Sequence, residues 1–300
     1  MDERVAETGG RREGLQYNVD DELVPADAAS VDVRDRGFRY GDAVVEPMRA
    51  YGGRIFAWPA HFTRLRRGVE ALAIRPPVTE RELRGRVRET LRANDLLDAF
   101  VRVSVTGGVD AGGQNPNRST DPTVVVTVAP TPRGGTEGRR SWGSPATLET
   151  VAVRRVPNGS VPSHVLSHNR LAGVLGFLDA DDFVDDVILL DRRGRPTQTA
   201  TASLFFVRDG TLATPSTGLS VHPGVRRWLT LEIADELDVP TETERYDLGA
   251  LASADEVFLA NTRWETRPVQ SIDGARYPEA GPVATAIGEA LDRLVEERHY

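Results

Sequence analysis

The stretch Asp35-Arg36-Gly37-Phe38-Arg39-Tyr40-Gly41-Asp42, followed by Glu46, Arg49, Gly52-Gly53 and His61-Phe62-Thr63-Arg64-Leu65, decides the fold. Working outward from it, residues 44–51 and 54–58 form a hairpin that turns at Gly52-Gly53, because adjacent glycines accept the backbone angles a tight turn demands. Residues 59–73 then place apolar side chains at Phe62, Leu65, Val69 and Leu72, a helical period begun by Pro59 in its first turn. Upstream, residues 16–19 and 22–24 form an earlier hairpin joined by Asp20-Asp21, and residues 31–42 are the connecting loop. Downstream, residues 79–94 form a second helix, with Thr79 as N-cap and Glu82 closing a capping box. Residues 100–106 and 123–129 are β-branched strands around a loop rich in Gly, Asn and Pro.

Residues 130–144, rich in glycine and proline, read as a linker. Beyond it the pattern predicts strands at 147–154, 186–190, 204–208, 239–245, 256–261 and 266–272, and helices at 170–180, 225–237 and 282–298. Strands in runs, interrupted by helices without strict alternation, make this an α+β chain of two domains. The expected divisions are a disordered polar tail over 1–14, a small domain over 15–130, a linker over 131–145 and a larger domain over 146–300.

Composition narrows the chemistry. The chain has 300 residues and no lysine: all 37 of its basic side chains are arginine, which fits either a GC-rich coding bias or adaptation to high salt. With no cysteine it has no disulfide, thiolate metal site or cysteine nucleophile. Five histidines and scattered carboxylates give no metal constellation. A net charge of −8 disfavours nucleic acid as a partner. No apolar run reaches the length of a membrane span, and the first fourteen residues are too polar for a signal peptide, so the expectation is a cytoplasmic protein without a membrane partner.

The opening stretch, together with Leu219-Ser220-Val221-His222-Pro223-Gly224-Val225-Arg226-Arg227 and Ala254-Asp255-Glu256-Val257-Phe258-Leu259-Ala260-Asn261-Thr262, resembles the class IV (fold-type IV) pyridoxal-phosphate aminotransferases over roughly residues 15–290. That resemblance implies the two-domain fold of the D-amino-acid aminotransferase type, with a cofactor cleft, and a homodimer. It also implies a phosphate cup. Arg64 stands at the phosphate-binding guanidinium of a His-x-x-Arg-Leu motif, Gly224 and Val225 at a helix start whose free N–H groups receive the phosphate, and Thr262 at the threonine that closes the cup. Arg226 replaces the family's threonine after that helix start, either adding a cation or pointing into solvent. Tyr40 and Arg102 match substrate-facing positions, the latter resembling one used for carboxylates.

Two chemical residues of that family are replaced. Leu166, in Leu166-Ser167-His168-Asn169-Arg170-Leu171, stands where the family carries its Schiff-base lysine, and no lysine elsewhere can take its place. Gln198 stands at the glutamate that pairs the pyridine nitrogen, and an amide supplies a hydrogen bond but no charge. Val45-Glu46-Pro47 departs from the family's Phe-Glu-Thr. His164 and His168 are candidates for proton transfer, since imidazole titrates near neutrality, although a histidine before a helix is more often a cap or a surface residue.

These residues leave several functions open. The Asn169-Arg170-Leu171 triplet leans towards 4-amino-4-deoxychorismate lyase, which forms 4-aminobenzoate and pyruvate. Branched-chain or D-amino-acid transamination is the alternative within the enzymes. A non-catalytic or PLP-independent protein that binds a small anionic or phosphorylated ligand, with pyridoxal phosphate held only non-covalently, is the competing class. A structural partner in a complex is the third.

Overall fold

Alternation along two strands organises the N-terminal half. The computed structural model describes residues 14–75, 77–109, 113–116, 121–133 and 140–300, so most of the expected tail, the tip of the Gly/Asn/Pro loop and the centre of the linker lie outside the described residues. Chain contacts divide it into two units. The first comprises residues 1–132, 165–169 and 299–300, and the second comprises 133–164 and 170–298.

In the first unit a six-stranded sheet runs in the order β2 (Glu22–Pro25), β1 (Gln16–Val19), β6 (Val124–Pro130), β5 (Ala99–Thr106), β3 (Ala43–Tyr51), β4 (Arg54–Ile55). Successive strand residues point to opposite faces, so Ala99, Val101, Val103 and Val105 of β5 and Val124, Val126 and Val128 of β6 share one core. That core is closed by Leu65 and Val69 of α2 (Trp58–Ala71) and Leu83, Val87 and Leu91 of α3 (Glu80–Ala93). The capping box forms as the spacing predicts: Thr79 Oγ1 accepts from Glu82 N–H, and Thr79 N–H donates to the Glu82 carboxylate at 2.7 Å. One expectation is corrected. Within the supposed loop 31–42, Arg36–Tyr40 form a short helix, α1, because Asp35 caps it by accepting from Gly37 N–H at 2.6 Å and Gly41 ends it at φ 68°.

Residues 165–169 add to the start of β3. Val45 N–H donates to the Leu166 carbonyl (2.7 Å) and His168 N–H to the Ala43 carbonyl (3.2 Å). The segment that carries the substituted lysine position is therefore fixed by its backbone to the first unit.

The second unit is built on a sheet ordered β12 (Thr241–Glu244), β11 (Thr211–Pro215), β10 (Ser203–Arg208), β13 (Glu256–Asn261), β14 (Glu265–Ile272), β7 (Ala146–Arg154), β8 (Asp186–Leu190), β9 (Pro196–Thr199), with β15 (Ala275–Arg276) beside β14. Leu148, Ile188, Leu204, Phe206, Val257 and Leu259 form its main core, and Phe205 and Phe258 stack at 5.2 Å between ring centroids. The helices are α4 (Leu171–Asp179), α5 (Val225–Glu236), α6 (Leu248–Ala252) and α7 (Pro282–His299). Strands β9 and β11 and helix α6 were not legible as elements. β9 carries Pro, Gln and two Thr, which read as loop, yet all four are buried against β8.

Candidate active site

The first unit absorbs Arg64 into a buried charge triad. The Glu46 side chain is 1% exposed and accepts from Arg64 through both oxygens, from Nε at 3.0 Å and Nη2 at 2.5 Å, and from His61 Nδ1 at 2.6 Å. An ionised carboxylate only accepts, so the His61 proton sits on Nδ1. Burial alone would push the Glu46 carboxyl up, but the Arg64 charge and the bonds from His61 and Arg64 outweigh it and hold the group below its ordinary range. Arg49, also buried, donates Nη2 to the Pro132 carbonyl at 2.7 Å and lies 5.1 Å from the Tyr51 ring centroid.

The β5 face turned away from the helices carries the histidine candidate. His168 Nε2 hydrogen-bonds Ser104 Oγ at 3.0 Å, and Arg102 lies two residues along the same strand, hence on the same face. Burial is the main cause that lowers the His168 pKa, the Arg102 charge adds to it, and Asp35 opposes both. The imidazole is therefore biased towards its neutral form, an acceptor as well as a donor. Arg102 is exposed, yet nearby protein strips enough water from its guanidinium to lower its pKa. Tyr40 closes α1. Its hydroxyl accepts from Gly113 N–H at 3.1 Å, and Arg36 and Arg39 lie 5.1 and 5.0 Å from its ring centroid. Leu166 is half-buried, and His164, which belongs to the second unit, is exposed.

In the second unit the sequence expectation for a helix start holds: α5 begins at Val225, with Gly224 as an N-cap that has no side-chain bond. An ideal Cβ at Gly224 would lie 3.5 Å from Ser203 Oγ, so the serine hydroxyl and the helix start are neighbours. Thr262 is buried just past the end of β13. Arg226 faces inward: it is 5% exposed, and its charge helps hold down the carboxyl of Asp292. Arg227, also buried, donates to the Pro215 carbonyl at 3.1 Å, and burial lowers its pKa.

Gln198 is engaged at both ends of its amide. Its Oε1 accepts from His222 N–H at 2.6 Å and its Nε2 donates to the Thr199 carbonyl at 3.3 Å. Nearby, the fully buried Asp186 accepts from the Thr199 and Thr201 hydroxyls (both 2.6 Å) and from Val187 N–H (2.8 Å), while burial still pushes its carboxyl up. Two arginines that the motifs did not mark as site residues are anchored near this contact. Arg155 Nε donates to the Ser220 carbonyl at 3.0 Å and Arg170 Nη2 to the Ala200 carbonyl at 2.8 Å. No spacing rule finds this pair, because β7 and the residue before α4 are brought together by tertiary structure alone.

A pyridoxal-phosphate group is only partly matched by these residues. The uncapped α5 start and adjacent arginines suit a phosphate, whereas Leu166 offers no amine and Gln198 no charge. Among the described residues no cluster of His, Cys, Asp and Glu could hold a metal ion, and no helix is long and apolar enough to cross a membrane.

Comparison with known proteins agrees with this architecture. A putative branched-chain-amino-acid aminotransferase of Methanocaldococcus jannaschii is 35% identical over 262 residues, 87% of this chain and 88% of that protein. The crystal structure of the branched-chain aminotransferase of the thermophilic archaeon Thermoproteus uzoniensis with norvaline superposes with a TM-score of 0.85 at 26% identity, covering 95% of this chain and 97% of that one. The 4-amino-4-deoxychorismate lyase of Pseudomonas aeruginosa superposes with a TM-score of 0.77 at 26% identity, covering 95% and 100%. Residues 43–272 match the sequence profile of amino-transferase class IV, and the chain belongs to that family.

Proposed function

We propose that this protein is a ligand-binding member of the family that holds a small phosphorylated anion, pyridoxal 5′-phosphate included, without a covalent bond from any internal side chain. The observation that carries this reading is the absence of lysine from all 300 residues, with Leu166 at the expected position. Imine formation needs a primary amine, and leucine has none. The two-ended engagement of Gln198 supports the same reading, since its amide serves the fold rather than a ring nitrogen. Within this proposal the α5 start at Gly224 and Val225, with Thr262, receives the phosphate. In the first unit, taken by itself, Arg102 and Tyr40 are the proposed substrate-binding residues, Arg102 for a carboxylate, and His168 is the group able to move a proton. A homodimer belongs to the same proposal, supported by exposed apolar side chains along α4, Val174, Leu175, Phe177 and Leu178 among them.

The second reading retains turnover. The Asn169-Arg170-Leu171 triplet and the lyase neighbour favour aminodeoxychorismate as substrate, while the Methanocaldococcus relative favours branched-chain amino acids.

The test is equilibrium binding of pyridoxal 5′-phosphate, followed by borohydride reduction and intact-mass analysis. We expect saturable binding and no pyridoxyl adduct on any internal residue. A stoichiometric internal adduct overturns the proposal, as does failure to bind. The Leu166→Lys, Gln198→Glu double variant is expected to gain the adduct and a yellow absorbance, each single change doing less. Robust parent turnover of aminodeoxychorismate or of a branched-chain amino acid establishes the second reading.

A further inference from the structure

In the second unit Arg155 and Arg170 are anchored on backbone carbonyls to either side of the Gln198–His222 contact, Arg155 on Ser220 and Arg170 on Ala200. Arg155 ends the β7 region half-buried, with Nε donating to the Ser220 carbonyl. Among the described residues no carboxylate pairs with it, and no acceptor meets the terminal nitrogens of its fork. The charged neighbour it does have is Arg170, another cation. Burial first and Arg170 second bring the Arg155 pKa down to about 10, so the group stays charged at neutral pH but its charge is less well stabilised than in water.

The surroundings are rigidly built. Ser220 adopts the left-handed backbone region at φ 64°, a strained conformation for a non-glycine residue. Its carbonyl is the acceptor for Arg155, and its hydroxyl accepts from Asn158 N–H at 3.0 Å. Asn158 Oδ1 in turn accepts from Ser163 N–H at 3.1 Å, the Ser163 carbonyl from His222 Nδ1 at 2.7 Å, and Gln198 Oε1 from His222 N–H. The loop after β7 is thus stapled to the segment that leads into α5, and Arg170 is anchored to the Ala200 carbonyl beside Gln198. A strained residue, a bonded loop and the anchors of two cations thus flank the Gln198–His222 contact. An exposed arginine needs no such framework, because water solvates it.

Resting on the reading of an anionic ligand above, we propose that Arg155 and Arg170 form a two-guanidinium clamp for a phosphate group. A phosphate dianion offers acceptor oxygens to both planar forks and cancels the repulsion between the two cations. The clamp favours a dianion over a singly charged ligand.

The probes are inorganic phosphate and pyridoxal 5′-phosphate, titrated calorimetrically at low ionic strength into the 300-residue parent and into Arg155→Gln, Arg170→Gln and Arg155→Lys. Arg154→Gln serves as control, since Arg154 is exposed and only hydrogen-bonds nearby carbonyls. We expect Arg155→Gln and Arg170→Gln each to weaken phosphate by about tenfold or more, as loss of a charge-assisted bidentate contact requires. Arg155→Lys should retain part of the affinity, and the control all of it. Without phosphate, Arg155→Gln should melt no lower than the parent, because it removes like-charge repulsion. A purely structural arginine would lower the melting temperature instead. Should Arg155→Gln fail to fold, Arg170→Gln and Arg155→Lys carry the test. Parent-like phosphate binding in both Gln variants overturns the clamp while leaving the ligand-binding reading intact. Absence of binding by the parent to either probe overturns both.

Discussion

Glu46, His61 and Arg64 in the first unit and Arg155 with Arg170 in the second are two ways of burying charge, and they differ in what each arginine meets. Arg64, which occupies a phosphate-binding motif position, is clasped by both oxygens of a protein carboxylate. Arg155, which occupies no such position, has a second cation, Arg170, as its charged neighbour. A motif fixes the residue type. What the guanidinium meets depends on neighbours contributed by other elements, and an arginine already met by a buried carboxylate adds less to an incoming anion than one whose charge is uncompensated. On the proposal above the second cluster serves recognition, while the first is a buried charge compensated within the protein.

The sharpest way to break this contrast is to empty the triad. Glu46→Gln leaves the Arg64 charge without its counter-ion, and removing one partner of a buried pair typically destabilises by about 3–5 kcal/mol. The pH dependence follows from the lowered Glu46 pKa. A carboxylate held below its unfolded value stabilises fully above that value, about 4.3, and the contribution is lost as pH falls through the folded value. Urea unfolding between pH 3 and 7 should show a steep acid limb in the parent that is shallower in Glu46→Gln. An equal loss at every pH would mean that packing, not charge, holds the triad.

A smaller test uses an acid of the second unit. Burial and then Glu265 push Asp292 up to about 6, against Arg140, Arg133 and Arg226. A carboxyl raised in the fold stabilises below its unfolded pKa and loses that contribution as pH rises towards 6. At pH 7 the ionised group is therefore unfavourable, and Asp292→Asn should stabilise by roughly 1 kcal/mol after allowance for solvent screening. The gain should vanish at pH 4. A destabilised variant at pH 7 would show that the three arginines dominate, and that this unit too balances its charges internally.

How much of this was legible follows from the range of each interaction. Strands β5 and β6 and helix α3 were readable because their signals are local: alternating valines, and a capping box closed within four residues. The α5 start at Gly224 was readable for the same reason. Helix α1 escaped because five residues show too little of a period, and its defining contact is the Asp35 cap. The fate of Arg64 depends on Glu46, eighteen residues away on another element, and the Arg155 environment on Ser220, sixty-five residues away. Whether Arg226 points into solvent was open in the sequence for the same reason, since only the fold buries it and brings its charge to bear on Asp292.

The smallest expected effect separates burial from pairing. Arg66 lies two residues beyond Arg64 on α2 and makes an i,i+4 ion pair with Glu70 at 2.9 Å, both side chains more than half exposed. Its pairing distance is comparable to those of Arg64, and its helix is the same. Water screens the attraction, and ordering two long side chains opposes it, so such pairs contribute about 0.3–0.5 kcal/mol. Arg66→Gln should therefore shift the urea midpoint barely beyond error, and adding salt should erase the remainder. Arg64→Gln strips the buried Glu46 of its bidentate partner and should fall near the large value expected for Glu46→Gln. If the two arginine variants lost equal stability, burial would not be what distinguishes the triad, and the division between a structural and a recognising arginine would fail at its base.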